Sequence, residues 1–160
     1  MKRAIFSISL ALILTSCSGA GISSLNEDKF VSGNGAVIMI SETDRKIAPV
    51  ISGPTLDGNT FQGKRNSVAV INVWASWCIT CLVEHPFLTH LSKNEIKLIG
   101  LNYKDSQIKA NQWLEKRGDP YLFSIYDPRG DLAFDLGVTG APETFLIFNQ
   151  QIIGHIQGEL

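Results

Sequence analysis

No basic block interrupts this 160-residue sequence: Lys and Arg total 14 against 15 Asp and Glu, for a formal net charge of −1. Without a clustered cationic surface there is no electrostatic footprint for nucleic acid, which is excluded as a partner. Internal repeats and low-complexity tracts are also missing, which sets repeat architectures aside. The apolar run Ala4–Leu14 is shorter than the ~20 residues that a bilayer-spanning helix requires. With 2 methionines and 3 histidines, no Met-rich or His-rich copper site can be assembled. Cysteine is scarce as well, and the count of 3 is odd, so one thiol stands apart from any pair.

What is present describes a globular chain. An apolar fraction of 44% and a charged fraction of 18% suit one domain with one core. The first sixteen residues read as addressing. Lys2 and Arg3 form a positive n-region, Ala4–Leu14 an apolar h-region, and Leu14-Thr15-Ser16-Cys17 resembles the lipobox of bacterial lipoproteins. That resemblance implies a diacylglyceryl group on Cys17 and cleavage ahead of it; an ordinary signal peptide or an uncleaved anchor is the plainer reading. The expected organisation is a signal peptide over 1–16, a lipidated tether and extension over 17–43, and a folded domain over 44–160. Export would place the remaining thiols where disulfides persist.

Along the domain, Ala36–Ile40 suits a short edge strand, and Thr55–Phe61 has a hairpin signature centred on Asp57-Gly58. Val68–Trp74 reads as a buried central strand. From Ile79 to about Leu91 the apolar residues Leu82, Phe87, Leu88 and Leu91 suggest a helix, which Pro86 should kink without ending. Ile96–Tyr103 is a second buried strand. Asp105 or Ser106 can cap a helix that runs to about Arg117 and stops at Gly118. Tyr121–Tyr126 is a third strand, closed by the turn Asp127–Gly130, and Leu132–Leu136 a single helical turn. Thr144–Phe148 and Ile152–Ile156 form a hairpin about Asn149-Gln150. This succession predicts an α/β chain with parallel crossovers and a mixed central sheet flanked by helices, the thioredoxin-like order.

Cys78 and Cys81 lie where the central strand gives way to the helix. At a helix start, free backbone N–H groups and the positive end of the dipole favour a thiolate, which assigns Cys78 as nucleophile. Cys81, about one turn further in, is then the resolving thiol and the more buried one. An inert stabilising disulfide is the alternative, but so small a loop constrains the unfolded chain little. Zinc is not expected: His85 shares a face with Cys81, His90 points to the opposite side, and the intervening loop of a Cys2His2 site is missing. Glu84 shares the helix face of Cys81. Trp77 is expected beside the sulfur surface, Trp74 and Trp113 in the core. His155, for which the sequence offers no partner, is read as structural.

From about Asp44 onward, four stretches carry a family resemblance: Asn72–Cys78, Glu84-His85-Pro86, Asn102–Asp105 and Gly137–Ile147. With them the chain resembles the ResA/TlpA/CcmG (DsbE) family of membrane-tethered, thioredoxin-like thiol–disulfide oxidoreductases. The resemblance implies that Glu84 is tucked near the active site and exchanges protons with the resolving thiol, a solvated helix glutamate being the alternative. It implies a cis peptide bond at Pro142, opposite the cysteines, in a loop with Ala141 whose backbone can pair with an extended substrate. Glu143 is either a substrate contact or a solvated loop carboxylate. Ile79 replaces the proline frequent in the family after the first cysteine. The sequence stops at Leu160 without the C-terminal helix usual in the family, so either the chain is truncated or the N-terminal segment or a partner closes that sheet face.

The function so implied is that of a lipid-anchored, extracytoplasmic oxidoreductase that reduces apocytochrome c disulfides during cytochrome c maturation. A membrane thiol donor would re-reduce it, and because the dithiol is itself the redox group, no cofactor is called for. The rivals are a general disulfide oxidase, told apart by its reduction potential, and a non-enzymatic Cu(I) chaperone.

Overall fold

A computed structural model describes residues 37–64 and 68–160. Eight strands and three helices follow one another as β1 (Val37–Met39), β2 (Ser52–Pro54), β3 (Thr60–Gln62), β4 (Val68–Trp74), α1 (Ile79–Lys93), β5 (Leu98–Tyr103), α2 (Gln107–Arg117), β6 (Phe123–Asp127), α3 (Asp131–Leu136), β7 (Glu143–Phe148) and β8 (Gln151–Gln157). Six of the strands make one sheet in the order β1-β8-β7-β4-β5-β6. The crossovers through α1 and α2 keep β4, β5 and β6 parallel, whereas β7, β8 and β1 join antiparallel. Two-faced burial explains β4, where side chains of both faces enter a core. Ala69, Ile71 and Val73 join one cluster with Leu101, Phe145 and α3's Ala133 and Leu136. Trp74 points the other way, into a second cluster with Leu88 of α1 and Ala110, Trp113 and Leu114 of α2.

This is the mixed, helix-flanked sheet that the strand–helix succession predicts, with adjustments at the ends. β1 pairs with β8, so the sheet begins ahead of residue 44, the expected domain boundary. The β2–β3 hairpin stands apart as a two-stranded sheet, and its connection is longer than a tight Asp-Gly turn. Gly58 there adopts φ 85°, while the Asp57 carboxylate accepts from the Asn59 N–H and side-chain amide at 3.2 and 2.8 Å. β5 starts at Leu98 rather than Ile96, following Glu95 at φ 65°.

Helix α1 continues through Pro86, as expected, but its buried side differs from the predicted stripe. Cys81, Glu84, His85 and Leu88 are buried, a line of three- and four-residue steps, whereas Leu82 and Phe87 fall off it and are exposed. Ser106 sits at the N-cap of α2 but its side chain makes no capping bond. Cys17 and the expected signal peptide and tether lie outside the described residues, apart from the stretch 37–43.

Candidate active site

β4 delivers its last buried residue, Trp74, and the chain turns through Ala75–Trp77 into Cys78, the N-cap of α1. Cys78 N–H donates to the Ala75 carbonyl at 3.1 Å, which closes that turn. Cys78 and Cys81 form a disulfide with their Cα atoms 5.3 Å apart. Cys78 Sγ also accepts from the Cys81 N–H at 3.1 Å, the capping bond of the helix. Both cysteines are buried, at 4% and 2% exposure, so the oxidised pair shows almost none of the difference in access that the sequence suggests. Their surroundings are apolar: Leu56, Ala75 and Leu88 share their cluster.

Around this turn the exposed surface is aromatic and aliphatic. Trp77 is 54% exposed and its indole N–H donates to the Lys104 carbonyl at 3.0 Å. Ile79 is 80% exposed, and Leu82 and Val83 on the same side of α1 are exposed as well. Behind the turn, Asp105 acts as a staple rather than as the helix cap considered above. Its carboxylate accepts from Ser76 N–H (2.6 Å), Ser76 Oγ (2.8 Å), Asn102 Nδ2 (3.1 Å) and Ser106 N–H (2.7 Å). The segment before the cysteines is thereby tied to the end of β5 and the start of α2.

The Ala141-Pro142 peptide bond is cis. Antiparallel pairing of Val73 with Glu143 brings this loop to the sheet end where β4 runs toward Cys78. Ala141 packs against the cluster that holds both cysteines, and Pro142 is buried. Glu143 departs from both expectations. It is neither solvated nor free for a substrate, being 2% exposed with its carboxylate turned inward. Oε1 accepts from Thr139 N–H (2.8 Å), Thr139 Oγ1 (2.6 Å) and Gly140 N–H (2.9 Å), and Oε2 lies 2.8 Å from His155 Nε2. Burial works against its charge, but the His155 and Thr139–Gly140 bonds prevail and hold the carboxyl below its ordinary range. His155 therefore has a partner after all, and its ring stacks on Phe145. The β7–β8 pairing brings them together.

Glu84 is 1% exposed, which removes the solvated reading. Oε1 accepts from Asn72 Nδ2 at 3.0 Å and Oε2 from the Leu160 N–H at 3.3 Å. Burial dominates over these bonds and, helped by Glu159, pushes its carboxyl up to about 7. Asn72 and its contacts with Thr144 and Tyr121 were missed in the sequence; burial of an asparagine in a central strand was the available signal. His85, one residue on, meets Trp113 edge-on at 4.7 Å, and its Nε2 faces the Arg117 carbonyl at 3.3 Å. Burial lowers its proton affinity.

A mixed sheet with helices on both faces, a Cys-x-x-Cys disulfide heading the helix after a central strand, and a cis-proline loop at the same end define a thioredoxin-like protein. The chain belongs to the Redoxin family, which matches residues 41–159. It is 53% identical over 95 residues to the thiol:disulfide interchange protein DsbE of Vibrio cholerae, covering 59% of this chain and 50% of that protein. DsbE of Escherichia coli (strain K12) is 52% identical over 84 residues, covering 52% of this chain and 45% of that protein. The chain thus spans about half the length of these curated relatives. Among solved structures, a DsbF homologue from Corynebacterium diphtheriae superposes with a TM-score of 0.67 at 25% identity, covering 82% of this chain and 90% of that one. A secreted thiol-disulfide isomerase from Corynebacterium glutamicum gives 0.66 at 27% identity, over 82% and 89%.

Proposed function

We propose that the chain is a thiol–disulfide oxidoreductase, anchored by lipid at Cys17 to the extracytoplasmic face of the cell membrane, that reduces apocytochrome c disulfides during cytochrome c maturation. In its reduced form the Cys78 thiolate, favoured by the helix start and the Cys81 N–H, attacks one sulfur of a client disulfide. A mixed disulfide forms and the client's other sulfur leaves as a thiolate, which takes a proton from solvent. Cys81 gives its proton to Glu84 and attacks Cys78 Sγ, which expels the second client sulfur as a thiolate and regenerates Cys78–Cys81; the proton on Glu84 then returns to that sulfur. Two electrons pass to the client. A membrane dithiol donor returns them to the pair.

The observation that carries the reading is the joint placement of a Cys-x-x-Cys pair at the start of α1 and a buried glutamate one turn along the same helix. A carboxyl raised to about 7 by burial is matched to accepting and returning a proton near neutral pH. Trp77, Ala141 and Pro142 would border the client, and Glu143 would act from behind by holding residues 139–140. The similarity to DsbE proteins supports the chemistry; apocytochrome c and the membrane donor are inferred from the family resemblance.

Trapping tests it. Cys81→Ala should stall the reaction as a mixed disulfide on Cys78, and mass spectrometry of the adduct from the native host should identify apocytochrome c. A Cys78→Ser protein that still exchanges disulfides, or adducts with no preference for cytochrome precursors, would remove the assignment.

A further inference from the structure

One buried asparagine joins three parts of the site. Asn72 of β4 is 0% exposed and uses both ends of its amide. Tyr121, between α2 and β6, donates its hydroxyl proton to Asn72 Oδ1 at 2.7 Å. The amide nitrogen donates to Glu84 Oε1 on α1 and to Thr144 Oγ1 on β7, each at 3.0 Å. These contacts span 49, 12 and 72 residues of sequence and draw on α1, β7 and the connection between α2 and β6.

The hydroxyl favours this orientation of the amide, because a turned-over amide could only donate to the phenol oxygen and would take away the acceptor of the Tyr121 proton. With Oδ1 engaged by Tyr121, both N–H groups point at Glu84 and Thr144. Turned over, the amide would set its carbonyl oxygen against the carboxylate, an arrangement compatible only with a protonated Glu84. Anchoring by Tyr121 therefore favours the charged form. Thr144 lies two residues beyond Pro142, so the same amide links the carboxylate to the strand that carries the proline loop.

We propose that Asn72 and Tyr121 are positioning residues for proton transfer at Glu84: Tyr121 orients the Asn72 amide, and the amide holds Glu84 and ties it to Thr144. This rests on the reading of Glu84 as proton acceptor for Cys81. Among the described groups, Glu159 acts on the carboxylate and Asp119 on the phenol, with His85 and Arg117 acting in turn on that side.

The test follows the Glu84 carboxyl carbon by NMR in oxidised full-length protein labelled with 13C-glutamate, the resonance being assigned by its loss in Glu84→Gln. Tyr121→Phe should raise the Glu84 midpoint by about one pH unit, a roughly tenfold gain in proton affinity. Asn72→Leu should raise it at least as far, and adding Tyr121→Phe to Asn72→Leu should change it no further. An unmoved midpoint in folded Tyr121→Phe overturns the proposal, as does an equal shift in the Asn72→Leu background, where Tyr121 would be acting directly. Should Asn72→Leu fail to fold, Tyr121→Phe alone decides. The proton-acceptor reading is judged separately, by whether Glu84→Gln alters the pH profile of mixed-disulfide resolution; the carboxyl midpoint does not depend on that result.

Discussion

Glu143 and His155 meet across the last two strands, Oε2 to Nε2 at 2.8 Å, while Oε1 of the same carboxylate gathers Thr139 and Gly140. One buried side chain thus fastens the loop that leads into Pro142 to strand β8. The loop's shape is set from the face of the sheet away from Trp74, because Phe145, on which His155 stacks, belongs to the other cluster.

His155→Phe keeps a ring on Phe145 but removes the nitrogen that satisfies Oε2. Urea unfolding at neutral pH should show a loss of about 1–3 kcal/mol, the usual effect of stripping a partner from a buried charged acceptor. An unchanged midpoint would mean that solvent replaces the imidazole.

Acid should weaken the same fastening. Because the Glu143 carboxyl is held below its unfolded value of 4.5, its contribution is complete above that value and is lost as pH falls through the folded one. Glu143→Gln should flatten this acid limb in unfolding experiments between pH 5 and 3.

Glu84 has the opposite sign. Its folded carboxyl, at about 7 against 4.5 unfolded, keeps a proton that the unfolded chain has already released. Stability of the oxidised protein should fall as pH rises from about 4.5 and level off above about 7, by roughly 3 kcal/mol in all. Glu84→Gln should remove that slope. Chemical denaturation at pH 5 and pH 8 makes the comparison.

Asp105→Ala should leave the N–H groups of Ser76 and Ser106 and the Asn102 amide without their acceptor. A loss of about 2 kcal/mol is expected, with Asp105→Asn recovering part of it. Thermal unfolding of the three proteins reads the difference.

How much of this was legible depends on the distance over which each signal acts. The β4 strand, the helix starting at Cys78 and the crossovers through α1 and α2 are local patterns, and they emerge as read. Burial of Glu84 follows from its three-residue step from Cys81, once that face is known to be the inner one. The predicted stripe through Leu82 and Phe87 failed because the helix is apolar on both sides, so hydrophobicity alone could not choose the inner face. The partners of Glu143 and Asn72 were out of reach for another reason. His155 meets Glu143 only through a strand pairing that contains a register shift between Leu146 and Ile147. Tyr121 and Thr144 reach Asn72 only after the sheet has assembled.

The connection between β2 and β3 also has a consequence beyond packing. Thr55 bridges Ile125 and the Leu56 N–H donates to the Ser124 carbonyl, so the outer margin of β6 is already occupied there. The side-chain amides of Gln107 and Asn111 pin the Leu56 carbonyl in turn. An extended polypeptide approaching β6 thus finds this flank shut against templated strand addition. Deleting residues 52–62 would uncover it and invite self-association.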